Sequence, residues 1–197
     1  MTQTANFEIP PAAHFRHKLT VAEFEALSRS GSLPEGKRFE LLEGEIYEMA
    51  TMGDEHVGGI AGLTEELVLK LFKQLKVIVQ CPIRLEQNDS QPEPDFALVY
   101  KERYSGGIPH ARDLALIIEI SDSSLDKDRS LKLPIYAREG IPEVWIANVN
   151  TVNVSTAQLE VYSEPVRGEY RSRRIYDAGQ AVAPLAFSDV PIEWWAK

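Results

Sequence analysis

The sequence is poor in cysteine and has no long hydrophobic run. Cys81 is the only cysteine among 197 residues, which excludes an intramolecular disulfide and argues against a cysteine-rich zinc site. The most apolar stretch, LALIIEI, is too short to cross a bilayer, and the N-terminal residues lack the apolar segment of a signal peptide. We therefore expect a cytoplasmic protein that does not associate with membranes.

Positive charge is also scarce. The chain has 21 lysines and arginines against 30 aspartates and glutamates, a formal net charge of −9. An acidic chain repels nucleic acid on average, which counts against a nonspecific DNA-coating protein. A nuclease is not excluded, because clustered carboxylates are the groups that hold a catalytic cation.

The composition is that of an ordinary globular protein, with 44% hydrophobic and 26% charged residues. Residues 1–19 show little periodicity and are expected to form an N-terminal tail, followed by a single domain over residues 20–197. Thr20 and Glu23 have the spacing of a capping box, which predicts a helix over residues 21–28.

The first half of the domain alternates between two periodicities. RFELLEG and EIYEMA, separated by Glu43-Gly44, predict a β-hairpin. From Asp54 to about Lys76, apolar residues recur every three or four positions, which predicts a long amphipathic helix. Gly58 and Gly59 weaken its first turns, so we expect another element to pack closely against them.

Strand patterns dominate the middle of the chain. KVIVQ, PIRLE, DFALVY and LALIIEI are each predicted to be strands, and the nearly continuous apolar character of the last predicts a central position. A helix is then expected between the potential caps at residues 121–124 and Gly140, with a kink or late start at Pro134. EVWIAN predicts another strand, and QLEVYS with GEYRSRRIYD predicts a ribbon turning at Gly168. These elements indicate an α/β (α+β) fold with a central mixed sheet flanked by helices.

Two acidic residues stand at strand positions where charge is costly. Asp95 opens DFALVY, and Glu119 lies near the end of the apolar run LALIIEI. A carboxylate in such a run requires a cation or a hydrogen-bond donor. If the two strands are neighbours, the two acids converge and could bind Mg²⁺ or Mn²⁺, which take oxygen ligands. Alternatively, Asp95 caps a turn and Glu119 lies past the sheet edge.

Several stretches resemble a known family. RFELLEGEIYEM, a helix beginning with EHVGGI, PEPDFALV and EISDSSLDKDRSLKLPIYAREGIPEVWI are similar to the Uma2 family of restriction endonucleases, and the likeness covers most of the chain from Thr20 onward. The resemblance implies the restriction-endonuclease-like fold of the PD-(D/E)XK superfamily. In that superfamily two acids bind Mg²⁺ and a lysine helps to activate water for phosphodiester hydrolysis. Asp95 and Glu119 match the two acids.

The catalytic lysine is missing from its usual place, because Ser121 stands two residues after Glu119. The resemblance implies that Lys132, on the following helix, replaces it. Asp128, Lys132 and Tyr136 are four residues apart, so all three could point at the acids, or could form a solvated ion-pair face instead. Lys127 lies off this stripe in an α-helix, and its substitution is expected to matter little.

Other polar residues have weaker support. Glu40 matches an acid of the family that could assist the metal, and is otherwise an outward residue of a half-exposed strand. His56 matches a histidine at a helix start that could orient an acid or contact a phosphate, and is otherwise a structural hydrogen-bonding group. Arg167, Arg171, Arg173 and Arg174 could follow a DNA backbone, although exposed ribbon charges need no partner.

The sequence thus predicts a Mg²⁺-dependent endonuclease in which Asp95 and Glu119 bind the metal and Lys132 assists the attacking water. Its expected partners are DNA and a divalent cation, with a homodimer left open. The alternative is a non-catalytic member of the same fold that serves as a binding or dimerisation module. The displaced lysine and the negative net charge favour that alternative.

Overall fold

The computed structural model describes residues 17–121, 124–149 and 157–195, with only the backbone of Glu55. The predicted N-terminal tail lies outside the described residues except for its last three positions. The potential caps Asp122 and Ser123 also lie outside them.

The helices lie mainly in the first half of the chain and between the fifth and sixth strands. The α-helices are α1 (Val21–Arg29), α2 (Asp54–Leu71), α3 (Leu125–Lys127) and α4 (Leu133–Arg138), with a π-helical segment (Asp128–Lys132) joining α3 to α4. Helix α1 begins with the predicted capping box, in which Thr20 and Glu23 each bond the other's backbone N–H. Short 3₁₀ turns occur at Glu86–Asn88, Ala111–Asp113 and Leu185–Phe187.

The strands form a hairpin and a larger mixed sheet. Their bounds are β1 (Phe39–Leu42), β2 (Glu45–Glu48), β3 (Leu75–Val79), β4 (Phe96–Tyr100), β5 (Leu114–Ser121), β6 (Glu143–Asn148), β7 (Gln158–Val166) and β8 (Glu169–Asp177). β1 pairs with β2, and the other six follow the order β3-β4-β5-β6-β7-β8, with only the β5–β6 pair parallel. The predicted fold class, a central mixed sheet flanked by helices, is confirmed.

The central position predicted for LALIIEI is also confirmed. Every residue of β5 is buried, because a different hydrophobic cluster covers each face of the sheet. One cluster joins even-numbered β5 residues such as Ile118 to α2 and the C-terminal segment. The other joins odd-numbered residues such as Ile117 to α4. Glu119 therefore faces the α4 side.

Ile118→Ala is expected to lower the free energy of unfolding by about 2–5 kcal/mol, because it leaves a cavity beneath α2. Ile118 is 0% exposed. Urea denaturation measures the change, and Ile175→Ala on β8 is the matched control. Ile175 is 50% exposed, so its truncation should change stability by no more than about 0.5 kcal/mol. Equal stability of both variants and the unsubstituted protein would contradict this packing.

Two sequence predictions are wrong at the level of individual elements. PIRLE is not a strand: Ile83 and Leu85 are buried, as alternation requires, but their N–H groups donate to loop carbonyls of Pro92 and Ser90. Helix α2 ends at Leu71 and not near Lys76. Leu75 lies four residues after Leu71, so it fits the helical period although it begins β3.

The predicted effect of Pro134 takes another form. The chain is helical from Leu125, but it widens into the π-helical segment immediately before α4. Pro134 lies in the first turn of α4. A proline has no N–H to donate within the helix, and a π-turn is a recognised way of accommodating such a break.

Close packing is confirmed at only one of the two glycines of α2. A Cβ on Gly59 would lie 3.3 Å from the Ile120 side chain, whereas one on Gly58 would meet nothing within 4 Å. Gly59 therefore lets α2 approach the end of β5.

Among the described residues, no helix combines the length and apolar character needed to cross a membrane.

Candidate active site

Asp95 and Glu119 lie side by side because β4 and β5 are antiparallel neighbours. Phe96 pairs with Ile118, and continuing this register by one residue sets Asp95 opposite Glu119 with both side chains on the same face. The Ile120 N–H donates to Asp95 Oδ2 at 2.7 Å, which fixes the aspartate against β5. The expected adjacency of the two strands is thus present, and it brings the two acids together.

The second oxygen of Asp95 faces the start of α2. His56 Nε2 lies 2.9 Å from Asp95 Oδ1, and Gln80 Nε2 lies 3.5 Å from the same atom. Gln80 has a φ of 47°, an unfavourable left-handed conformation for a non-glycine residue at the end of β3. No sequence signal identified Gln80, because this contact depends on how the chain leaves the strand.

Glu119 is enclosed by side chains from the helical segment. Tyr136 Oη donates to Glu119 Oε1 at 2.6 Å, and Lys132 Nζ lies 3.2 Å from the same oxygen. Burial raises the pKa of Glu119 to about 8, against the opposing influence of the Lys132 ammonium; the nearby Asp128 and Asp95 carboxylates add to the rise. Glu119 therefore favours its protonated form at neutral pH even beside Lys132, and a further cation close to its carboxyl group would favour the ionised form.

Lys132 sits among three carboxylates. Besides Glu119, its Nζ lies 3.4 Å from Glu40 Oε2 and 3.7 Å from Asp128 Oδ1. Burial by itself lowers the pKa of Lys132, but the carboxylates outweigh it and raise the pKa above its ordinary value. Lys132 is therefore a buried, charged lysine whose ammonium neutralises the surrounding acids.

Glu40 is an inward-facing member of this cluster and not an outward residue of β1. Its side chain is buried, with Oε1 2.5 Å from Lys127 Nζ and Oε2 accepting from the Glu93 N–H at 3.3 Å. Burial opposes ionisation, but Lys132 and Lys127 prevail and lower the pKa of Glu40. Glu40 therefore contributes a full negative charge.

Asp128 is held by the two serines that precede it. Ser121 Oγ and Ser124 Oγ each donate to Asp128 Oδ2 at 2.7 Å. Ser121, which occupies the position of the superfamily lysine, thus orients an acid that in turn contacts Lys132. The predicted grouping of Asp128, Lys132 and Tyr136 around Glu119 is present in the structure.

The π-helical segment brings Lys127 to the same cluster, contrary to the sequence expectation. The Leu133 N–H donates to the Asp128 carbonyl five residues earlier. Residues five apart therefore come to one side of this segment, whereas they diverge in an α-helix. Lys127 and Lys132 are five apart, and they contact different oxygens of Glu40.

A cleft of about 230 Å³ opens beside these groups. It is lined by Arg38, Glu40, Met49, Ala50, Thr51, Met52, Gly53, His56, Gln80, Asp95, Ser124 and Lys127. Asp95 and Lys127 are therefore accessible from the cleft, while Glu119 and Lys132 lie outside its lining.

The acids present are compatible with a hydrated divalent cation. Among residues 17–121, 124–149 and 157–195, no group of three histidine, cysteine, aspartate or glutamate side chains is arranged to hold a metal. Mg²⁺ does not require one, since it commonly binds through one or two carboxylates with water and phosphate oxygens. The cluster contains four carboxyl groups and two lysine ammoniums, so its ionised acids would carry an excess of negative charge that such a cation would offset. The residues are Asp95, Glu119, Glu40 and Asp128, with Lys127 and Lys132.

The arginine cluster lies apart from the cleft. Arg167 precedes Gly168 in the β7–β8 turn, and Arg171, Arg173 and Arg174 are exposed on the edge strand β8. Arg173 pairs with Glu160 at 3.1 Å, so one of these charges has a structural partner.

A mixed sheet that sets two acids on neighbouring strands, beneath a helix carrying lysine, has the architecture of a nuclease-like fold. The family model Uma2, described as "Putative restriction endonuclease", matches residues 21–193. The chain belongs to the Uma2 family.

A solved structure supports the fold assignment. It is described as the crystal structure of a "putative nuclease belonging to DUF820" from Anabaena variabilis ATCC 29413, and it superposes with a TM-score of 0.63 at 15% sequence identity. The match covers 86% of this chain and 91% of that one. None of the curated proteins is significantly similar to this chain in sequence.

Proposed function

We propose that this protein is a Mg²⁺- or Mn²⁺-dependent endonuclease that hydrolyses phosphodiester bonds of DNA. The observation that carries the proposal is the pairing of Asp95 and Glu119 on neighbouring strands, on one face of the sheet and next to a solvent-accessible cleft. Membership of the Uma2 family supports the reaction class.

Asp95 and Glu119 would hold the metal. When bound, the ion would polarise a phosphoryl oxygen and lower the pKa of a coordinated water. The Ile120 N–H and His56 keep Asp95 oriented toward the site, and the Tyr136 hydroxyl does the same for Glu119.

Lys132 would act through Glu119 and not by touching the water. Its ammonium is buried and contacts three carboxylates, so it keeps Glu119 in place and limits the repulsion among the acids. We therefore assign Lys132 a positioning role, with Asp128 and its two serine partners supporting the ammonium.

A plasmid-nicking assay tests the proposal directly. Supercoiled DNA should be nicked in the presence of Mg²⁺ or Mn²⁺ and remain intact in EDTA. Asp95→Asn, purified identically, controls for contaminating nuclease and should be inactive. Nicking that is equal in the variant, or no metal-dependent nicking by the unsubstituted protein, would favour the binding-module alternative.

A further inference from the structure

The two lysines of the helical segment differ in their access to the cleft. Lys132 is 6% exposed and is bound by three carboxylates, and it does not line the cleft. Lys127 is 27% exposed and lines the cleft, and its carboxylate partner among the described residues is Glu40. Only Lys127 of this pair can therefore meet a molecule entering the cleft.

Glu40 does not require all of the hydrogen-bonding capacity of Lys127. An ammonium carries three N–H donors, and its ion pair with Glu40 Oε1, at 2.5 Å, leaves at least one of them for another acceptor. The ring of Tyr47 lies 5.4 Å from the same ammonium, a cation–π contact that favours this position without using an N–H donor. Lys127 can thus keep Glu40 and still donate to another acceptor.

A second cation lines the same cleft. In the part of the chain that the structure describes, Arg38 pairs with the carboxylate of Glu93, whose backbone N–H donates to Glu40. Glu40 therefore connects the two cations, because it contacts Lys127 directly and Arg38 through Glu93. In a chain with a net charge of −9, this places local positive charge where Asp95 and Glu40 would otherwise repel an anion.

We propose that Lys127 is a substrate-binding residue that contacts a non-bridging phosphate oxygen of the DNA backbone, with Arg38 providing a second contact in the same cleft. This inference rests on the proposed nuclease function and adds to it the side chain that binds the phosphate group of the substrate. It also reverses the expectation that substitution of Lys127 would have little effect.

The salt dependence of DNA binding tests the contact. Fluorescence anisotropy of a labelled 20-base-pair duplex, measured in EDTA to prevent cleavage, gives the slope of log affinity against log salt concentration. Lys127→Met should reduce the magnitude of that slope by about 0.9, the change expected for one lost phosphate contact on duplex DNA. Lys127→Arg keeps a cation there and should restore most of the slope.

Lys73→Met is the matched control. Lys73 is an exposed lysine beyond the C-terminal end of α2 and is absent from the cleft lining, so its substitution should leave the slope unchanged. A calorimetric Mg²⁺ titration shows whether the substitution weakens DNA binding directly or by disturbing the acidic residues that would hold the metal. If Lys127 contacts only the DNA phosphate, Lys127→Met should retain the metal affinity of the unsubstituted protein.

The outcomes separate this inference from the function on which it rests. If the unsubstituted protein binds and nicks DNA but Lys127→Met has an unchanged slope, the phosphate contact is refuted while the nuclease proposal stands. A reduced slope accompanied by weaker Mg²⁺ binding would also refute it, since Lys127 would then act through the acid cluster. If the unsubstituted protein neither binds nor nicks DNA, both proposals fail.

Discussion

Lys132→Met is expected to lower the free energy of unfolding by about 3–5 kcal/mol, the scale for removing one partner of a buried charge cluster. Its ammonium lies within 4 Å of Glu119, Glu40 and Asp128, all of them buried. Methionine fills a similar volume but leaves these carboxylates without their shared cation. The loss of stability should therefore result from the unpaired carboxylates and not from a cavity in the core.

Urea denaturation in EDTA measures this loss, and Lys70→Met provides the control. Lys70 also pairs with an acid four residues earlier, Glu66, but on a partly exposed helix face. Its ammonium also donates to the exposed Pro191 carbonyl, so its substitution should cost no more than about 1 kcal/mol. Adding Glu40→Gln to Lys132→Met should recover part of the stability, because the negative charge of Glu40, which loses Lys132 as a partner, is then removed. A Lys132→Met variant as stable as the Lys70→Met control would disprove the buried-cluster interpretation.

This expectation differs from the one that the sequence alone supports. The resemblance to the Uma2 family makes Lys132 a helical residue that assists the reaction, and on that basis its substitution should spare the fold while reducing activity about a hundredfold. Its burial changes that expectation, because stability and activity now depend on the same ammonium. An activity measurement on Lys132→Met must therefore be made where the variant is folded.

The elements that the sequence predicted correctly are those determined by local chemistry. The capping box of Thr20 and Glu23, the hairpin around Gly44 and the apolar run of β5 each specify structure over a few residues. The pairing of Asp95 with Glu119 followed from one further assumption, that their strands are neighbours, and the sheet order satisfies it.

The features that were missed depend on non-local pairing. Ile83 and Leu85 alternate with polar residues as in a strand, but Pro92, which accepts from the Ile83 N–H, has no N–H to donate in return, so no regular strand pairing forms. Alternation of apolar and polar residues indicates that one side of the segment is buried, but it does not show that a partner strand is present.

The position of Lys127 was missed for a related reason. An α-helical projection separates it from Lys132, and only a π-turn brings residues five apart to one side. Pro134 predicted an irregular helix at this point, but it did not predict that the irregularity would be a π-turn. That Lys127 faces the cleft is therefore visible only in the three-dimensional structure.

Asp95→Asn is expected to weaken Mg²⁺ or Mn²⁺ binding at least about tenfold and to reduce DNA nicking at least about a hundredfold. The amide can still accept the Ile120 N–H through its oxygen, which turns its NH₂ group toward His56. The fold is thus retained, while the negative charge and one potential ligand oxygen are lost. Glu119→Gln should weaken metal binding to a similar extent, because either acid alone leaves a hard cation with too few charged ligands.

Isothermal titration calorimetry with each metal measures this change, and Asp113→Asn is the matched control. Asp113 is a buried aspartate next to the opposite end of β5, where it accepts from the His110 N–H and caps a 3₁₀ turn. Its substitution should alter stability but not metal affinity. Wild-type affinity in both Asp95→Asn and Glu119→Gln would end the metal-site proposal. Loss of affinity in those two variants, with the control unchanged, would locate the metal at the junction of β4 and β5.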